Sequence, residues 1–287
     1  MAVNVDTNTL PEKGKSADRK PETKFIKAGN RLARLVSYVE LGKHFQMFQG
    51  KKAVYEQGKN AGRQKPAVLH CALTFEFPAE EYTGDYPLTI STSRRMDNGE
   101  FFDAVVVPPS PKDGTMSRAY AMRTRFMKYL TALQAATGLQ YTNFADFARE
   151  QVGVMINVTN KKGKVNEETG VAPVYANMKP DGIVAARFEH PVSGQIEELE
   201  VPAAIGDHYC PAFEWDAPTP ESWKLLPPWH KAAIKAAVDF EGSATDLMLQ
   251  ADPTLDEITK PDEDQDQTPN KPAEPPADTT KQEDIPV

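Results

Sequence analysis

A mainly β domain with a few helices is what this sequence predicts, and three observations lead there. Between Val68 and Phe77 the apolar residues Leu69, Cys71, Leu73, Phe75 and Phe77 alternate with His70, Ala72, Thr74 and Glu76, the period-two pattern of a strand with one face on a core. Helical spacing over a long stretch occurs once, from Met116 to Thr137. The segments follow one another as strand, strand, strand, helix, strand, strand, the order of an OB-fold: a five-stranded Greek-key barrel with its helix between strands 3 and 4. A small mixed α+β sheet gives the same order, so periodicity alone leaves both open.

The first strand covers Asn30 to Gly42, β-branched and aromatic in composition and stopped by glycine. The third runs from Pro87 to Met96, with Leu88 and Ile90 on the core side and Thr89, Ser91, Ser93 and Arg95 opposite, and ends at the turn Asp97-Asn98-Gly99. Phe101-Phe102 and Val105 to Val107 continue apolar until the break at Pro108-Pro109-Ser110-Pro111. The helix from Met116 has Ser117 near its start, Met122, Phe126, Tyr129, Leu130 and Leu133 on one stripe, and Gly138 just past its end. A shorter helix follows over Asn143 to Glu150, then strands at Val152 to Thr159 and Val174 to Met178. Residues 29–180 are therefore read as the barrel domain. From 181 to 251 the chain is less regular, with Trp215, Trp223 and a helix from Trp229 to Phe240 whose Trp229, Ala233, Ala236 and Phe240 stripe is expected to pack on the barrel.

Both ends read as flexible. Residues 1–28 are polar and lysine-rich, a basic arm. Residues 252–287 hold eleven Asp/Glu and three Lys, a net of -8, with four large aliphatic residues and no aromatic. Such a segment buries too little apolar surface to offset its ordering entropy, which predicts a disordered acidic tail. The whole chain also has a net charge of -8, 33 minus 41, so the remainder balances, but unevenly. Residues 1–65 carry fourteen Lys/Arg against six Asp/Glu, and 66–251 carry sixteen against twenty-four. A basic front points to contact with nucleic acid.

Catalytic signals are poor, and the chain reads as a non-enzyme without a cofactor or metal. Gly50-Lys51 is followed by Lys52, not the Ser or Thr of a phosphate-binding loop. His208-Tyr209-Cys210 has no second pair at metal-ligand spacing, and neither Pro180-Asp181 nor Pro261-Asp262 leads into a nuclease-type Asp/Glu-x-Lys step. Two cysteines, Cys71 and Cys210, form no disulfide framework. With no signal-peptide core and no membrane-length apolar run, a cytoplasmic protein without membrane contact is expected.

The connection from Lys43 to Pro66 is then the strongest physical signal. It carries Lys43, Lys51, Lys52, Lys59, Arg63 and Lys65 together with Phe45, Phe48 and Tyr55. Lysines neutralise phosphates and rings stack on unpaired bases, so this is a candidate basic finger, although an ordinary long hairpin loop with inward rings has the same composition. Further stacking candidates are Tyr38 and Tyr175. Further phosphate partners are Arg34, Arg95, and Lys161, Lys162 and Lys164 in a basic turn.

Several pieces of the chain resemble a known family. Gly29-Asn30-Arg31, Ala33-Arg34, Glu40-Leu41-Gly42, Leu73-Thr74-Phe75-Glu76-Phe77-Pro78, Tyr86 to Ser91 and Gly153-Val154-Met155-Ile156-Asn157 follow the order of a phage-encoded single-stranded DNA-binding protein family with an OB-fold. The resemblance covers roughly Gly29 to Lys179 plus the tail. At the C-terminus, Glu283-Asp284-Ile285-Pro286-Val287 is similar to the acidic tip of bacterial single-stranded DNA-binding proteins, which docks on replication and repair proteins; Val287 stands where that tip has phenylalanine. The resemblance implies a sequence-independent single-stranded DNA-binding protein of phage DNA replication, recombination or repair. It would act in the host cytoplasm, read by replication or repair partners through Glu283 to Val287, with self-association compatible. The alternative is a non-enzymatic protein-interaction or virion-associated module with a small barrel.

Overall fold

The computed structural model describes residues 25–78, 87–108, 123–163, 165, 172, 174–202 and 208–257. Its organising element is β1 (Gly29–His44), a 16-residue strand that is buried almost continuously from Ala33 to Val39. Its first part pairs antiparallel with β9 (Gly153–Lys162), Gly29 opposite Val158 through Arg34 opposite Gly153. Its later part pairs antiparallel with β4 (Val68–Phe77), Arg34 opposite Glu76 through His44 opposite Val68. Register shifts at Leu35/Ser37 and Glu40/Gly42 bend the strand between these partners. Bulges of this kind re-aim side chains. Here they let one strand serve two cores.

Leu35 and Tyr38 face the first core. It also contains Leu73, Phe75 and Phe77 of β4, Val154, Ile156 and Val158 of β9, and two helices, α1 (Arg125–Thr137) and α2 (Phe144–Glu150). Val39 and Leu41 face the second, with Ala72, Phe213, Trp215, Trp223 and Ile234. Fully burying each large apolar side chain stabilises the fold by about 1.5–3 kcal/mol. The second core fixes Gly42: its φ is 80°, and a Cβ there would lie 2.4 Å from the Trp215 ring.

The main sheet runs β10 (Val174–Ala185), β9, β1, β4, β5 (Leu88–Ser91), with β8 (Val105–Val106) added to β4 and β13 (Ala212–Phe213) added parallel to β1. This is a large, mainly antiparallel sheet with a few helices, as the alternation predicts, but it is not a closed barrel. Among the described residues no ladder joins its ends, β10 and β5. The reason lies in the third strand, expected as one run from Pro87 to Met96. It stops pairing after Ser91, Ser93 turns to a φ of 51°, and the hydroxyls of Thr92 and Ser93 accept from Leu73 N at 2.9 Å and Val105 N at 2.7 Å. The strand edge is thereby spent on its own neighbours. The remainder forms a separate ribbon, β6 (Arg94–Arg95) against β7 (Phe101–Phe102), around the expected Asp97-Asn98-Gly99 turn.

Helix ends follow their capping chemistry. α1 begins one residue after Thr124, whose hydroxyl accepts from Met127 N, and ends at Gly138 in the left-handed region. The part of the expected helix from Met116 to Met122, Ser117 included, lies outside the described residues. Asn143, expected as the first residue of its helix, instead caps α2, its side-chain oxygen accepting from Asp146 N at 2.9 Å. Ile26, inside the expected arm, is buried in the first core, and Asn160 Nδ2 donates to its carbonyl at 3.0 Å.

Beyond β10, which extends to Ala185 through a register shift after Met178, a ribbon forms from β11 (Arg187–Glu189) and β12 (Ile196–Glu198). The chain then builds the second core with α3 (Pro220–Lys224), α4 (Pro228–Lys235), α5 (Ala244–Ala251) and α6 (Thr254–Glu257). The helix expected to reach Phe240 ends at Lys235, and its buried face is His230, Lys231, Ala233 and Ile234, while Ala236 is exposed. The folded body also continues past Asp252. Leu255 is buried, and its carbonyl accepts from Trp223 Nε1 at 3.2 Å.

Candidate nucleic-acid interface

The connection between β1 and β4 is an ordered ribbon. Its tip pairs β2 (Met47–Phe48) with β3 (Lys51–Lys52) across Gln49 and Gly50, whose φ values of 49° and 71° are both left-handed. Positive φ at both central residues is the geometry that matches the twist of a two-residue hairpin. Farther along, Lys65 N donates to Ala53 O at 2.9 Å and Tyr55 N to Arg63 O at 2.9 Å, so the stem is held by the backbone. The register sets Phe48 opposite Lys51 and Met47 opposite Lys52. Phe48 and Lys51 therefore share one face of the ribbon, and Met47 and Lys52 the other.

Phe48 is 68% exposed, which for a phenylalanine on a held ribbon leaves a ring face available for stacking. Lys51, Lys52, Lys59 and Arg63 are exposed, and Lys65 is half-buried. Phe45 and Tyr55 are half-buried beneath cations: Lys52 Nζ sits 4.0 Å from the Phe45 ring centre and Lys65 Nζ 6.0 Å from that of Tyr55. Such cation–π contacts hold the cations near the ribbon while leaving their charge available. Lys43, also exposed, is engaged differently: its ammonium is 3.6 Å from Asp239, and its backbone N–H donates to the same carboxylate at 2.8 Å.

The ribbon leans on its neighbour. Gly50 N donates to Glu100 Oε1 at 3.0 Å, tying the finger tip to the β6–β7 ribbon. Below them, Phe101 stacks on His70 with ring centres 4.2 Å apart and meets His44 at 4.9 Å, edge to face. Burial pushes the His70 imidazole down to about 3, aided by the nearby His44. His44 is also lowered, again chiefly by burial, against opposing effects from its hydrogen bond to the Leu41 carbonyl and from Asp239. Both rings are therefore neutral packing at the root of the finger.

The β6–β7 ribbon brings in residues that the sequence did not single out. Phe102 is exposed and pairs in register with Arg94, while the expected Arg95 is exposed opposite Phe101. Burial lowers the Arg94 pKa, and the expected Tyr175, on β10, partly offsets that effect. The available signal was the pair Arg94-Arg95 and Phe101-Phe102 flanking a turn: a hairpin must set those arginines against those rings.

Two expected contacts are overturned. Arg34 is only 4% exposed and forms an ion pair at 3.3 Å with Glu76, itself fully buried, so its guanidinium is committed inside the fold. Tyr38 is 5% exposed, packs against Phe144 with ring centres 5.8 Å apart, and donates its hydroxyl to Glu40 at 2.7 Å. No base can reach it. Both failures share a cause, because β1 is buried on both faces. Lys161 and Lys162 lie exposed at the end of β9, whereas Lys164 and the tip residues Glu283, Asp284, Ile285, Pro286 and Val287 lie outside the described residues. Among the described residues no cluster of three or more His, Cys, Asp or Glu gathers to hold a metal, and no helix is long and apolar enough to cross a membrane.

In comparisons with protein-family models, curated proteins and solved structures, nothing matched this chain.

Proposed function

We propose that this is a non-catalytic, largely sequence-independent single-stranded DNA-binding protein serving phage DNA replication, recombination or repair, with the finger as its principal contact. The observation that carries the reading is Phe48, an exposed ring held on an ordered ribbon across from Lys51. Base stacking on such a ring contributes about 1–3 kcal/mol per base without reading sequence. The strand order supports an OB-fold reading of the sheet. The first strand lies between the second and fourth, the third lies beyond the second, the fifth beyond the fourth, and the helices lie between the third and fourth. In that fold the connections between strands 1 and 2 and between strands 4 and 5 bind oligonucleotides. The finger occupies the first of these connections, and Lys161 and Lys162 open onto the second. The acidic tail, through Glu283 to Val287, is the proposed ligand of a replication or repair partner in the host cytoplasm.

Fluorescence anisotropy with labelled oligo-dT tests the reading. Binding is expected at low salt, with a log–log salt slope of about -0.7 per phosphate contacted, and single strands should compete better than duplex. Absence of binding at low salt, or equal competition by duplex, overturns it.

A further inference from the structure

A second ribbon has the form of the finger with the opposite charge. β11 and β12 are exposed along their whole length, and they form a sheet of their own with no third strand among the described residues. The turn is well made: His190 N donates to Gln195 O and Gly194 N to His190 O, each at 2.8 Å, with Gly194 at a φ of 67°. Its surface is apolar as well as acidic. Val192 at the turn is 91% exposed, Phe188 and Ile196 stand out on the strands, and Glu189, Glu197, Glu198 and Glu200 surround them against Arg187 alone. A two-stranded ribbon is marginal by itself, and outward rings and aliphatics on one add to that deficit.

The pairing suggests what covers it. In β11–β12 Phe188 lies opposite Glu197, so one face presents a ring beside a carboxylate. In the finger Phe48 lies opposite Lys51, so one face presents a ring beside an ammonium. Stacked face to face, the two ribbons would bury rings against each other and set opposite charges together. Carboxylates exclude phosphate-bearing partners from the acidic ribbon, and two acidic ribbons would repel each other.

We propose that the β11–β12 ribbon of one molecule docks on the 43–66 finger of a second copy of this chain. The two surfaces differ, so the contact is heterologous: one contact per pair leads to chains of copies, and two reciprocal contacts close a dimer. Because the finger is used, single-stranded DNA and the neighbouring copy exclude each other there. The proposal stands without the DNA reading, since its test contains no DNA.

The test is sedimentation velocity of the full chain across a concentration series at low salt, with two charge-reversed variants at exposed positions, K51E/K52E and E197K/E198K. Wild type is expected to self-associate. Each variant alone should do so at least about tenfold more weakly, the scale expected for close complementary charges. An equal mixture of the two variants should recover association, because each reversed finger meets a reversed ribbon. Circular dichroism of each variant matching wild type establishes that the fold is kept. Three results overturn the proposal: wild type monomeric throughout, association unaffected by either variant, or loss in the ribbon variant alone with no recovery on mixing, which would make the ribbon pair with something other than the finger.

Discussion

β1 and the finger that follows it hold the same kinds of residue with opposite fates. Arg34 and Tyr38 on the strand are a cation and a ring, as are Lys51 and Phe48 on the finger, yet the first pair is sealed between two cores and the second faces solvent. The difference comes from what covers each element. β1 has β9 and β4 at its edges, α2 on one side and α4 on the other, so every side chain along its middle meets protein. The finger has the β6–β7 ribbon on one side, through Glu100 and the Phe101 stack, and is held at its root by Asp239, while its tip residues Phe48, Lys51 and Lys52 are exposed. Composition proposes binding residues, but only the number of covered faces decides among them.

Acid is the broadest challenge to the covered side. Burial holds His70, at the root of the finger, and His230, in the second core, at about 3, against 6.5 unfolded. The unfolded chain therefore takes up protons first as pH falls. The neutral rings contribute their full stability above about pH 6.5, and it is lost progressively down to about pH 3, by on the order of 1.4 kcal/mol per unit for each group. Urea midpoints measured from pH 7.5 to 4 should fall steadily, and less steeply in a His230→Phe variant.

Next in size is Arg34→Ala. Removing one partner of a buried ion pair leaves Glu76 charged and uncompensated, at a cost of about 3–5 kcal/mol in unfolding free energy. Whatever remains folded should bind oligo-dT as wild type does. A loss of affinity without a loss of stability would return Arg34 to the binding surface. The mirror experiment is Phe48→Ala, expected to weaken oligo-dT binding by about 1–3 kcal/mol while the thermal midpoint stays at its wild-type value. Together these two variants separate the strand from the finger.

Much of the fold could be read from the residues. The alternation in β4, the asparagine before α2, the glycine after α1 and the turn at Asp97-Asn98-Gly99 each act within a few positions, so local sequence determines them. What escaped depends on distant partners. Glu40 looks like a surface residue of β1, but its carboxylate accepts from Trp215 N, 175 positions away, at 2.7 Å. That contact belongs to a second core whose helices show no feature that says which face of which strand they will cover. The broken third strand escaped for a related reason, because the Thr92 and Ser93 hydroxyls replace a ladder with side-chain bonds to β4 and β8. Composition alone singled out the stretch that forms the finger, as the candidate site. It could not foresee that Phe102 and Arg94 are delivered beside it by a turn whose flanks pair arginine with phenylalanine.

Photo-crosslinking of oligo-dT to the full chain, followed by peptide mapping, tests the central claim most directly. The account predicts crosslinks at Phe48 and along residues 45–55, with Phe102 as a second position, and none at Tyr38. Crosslinks at Tyr38 with the finger unmarked, or on the acidic β11–β12 ribbon, would contradict it.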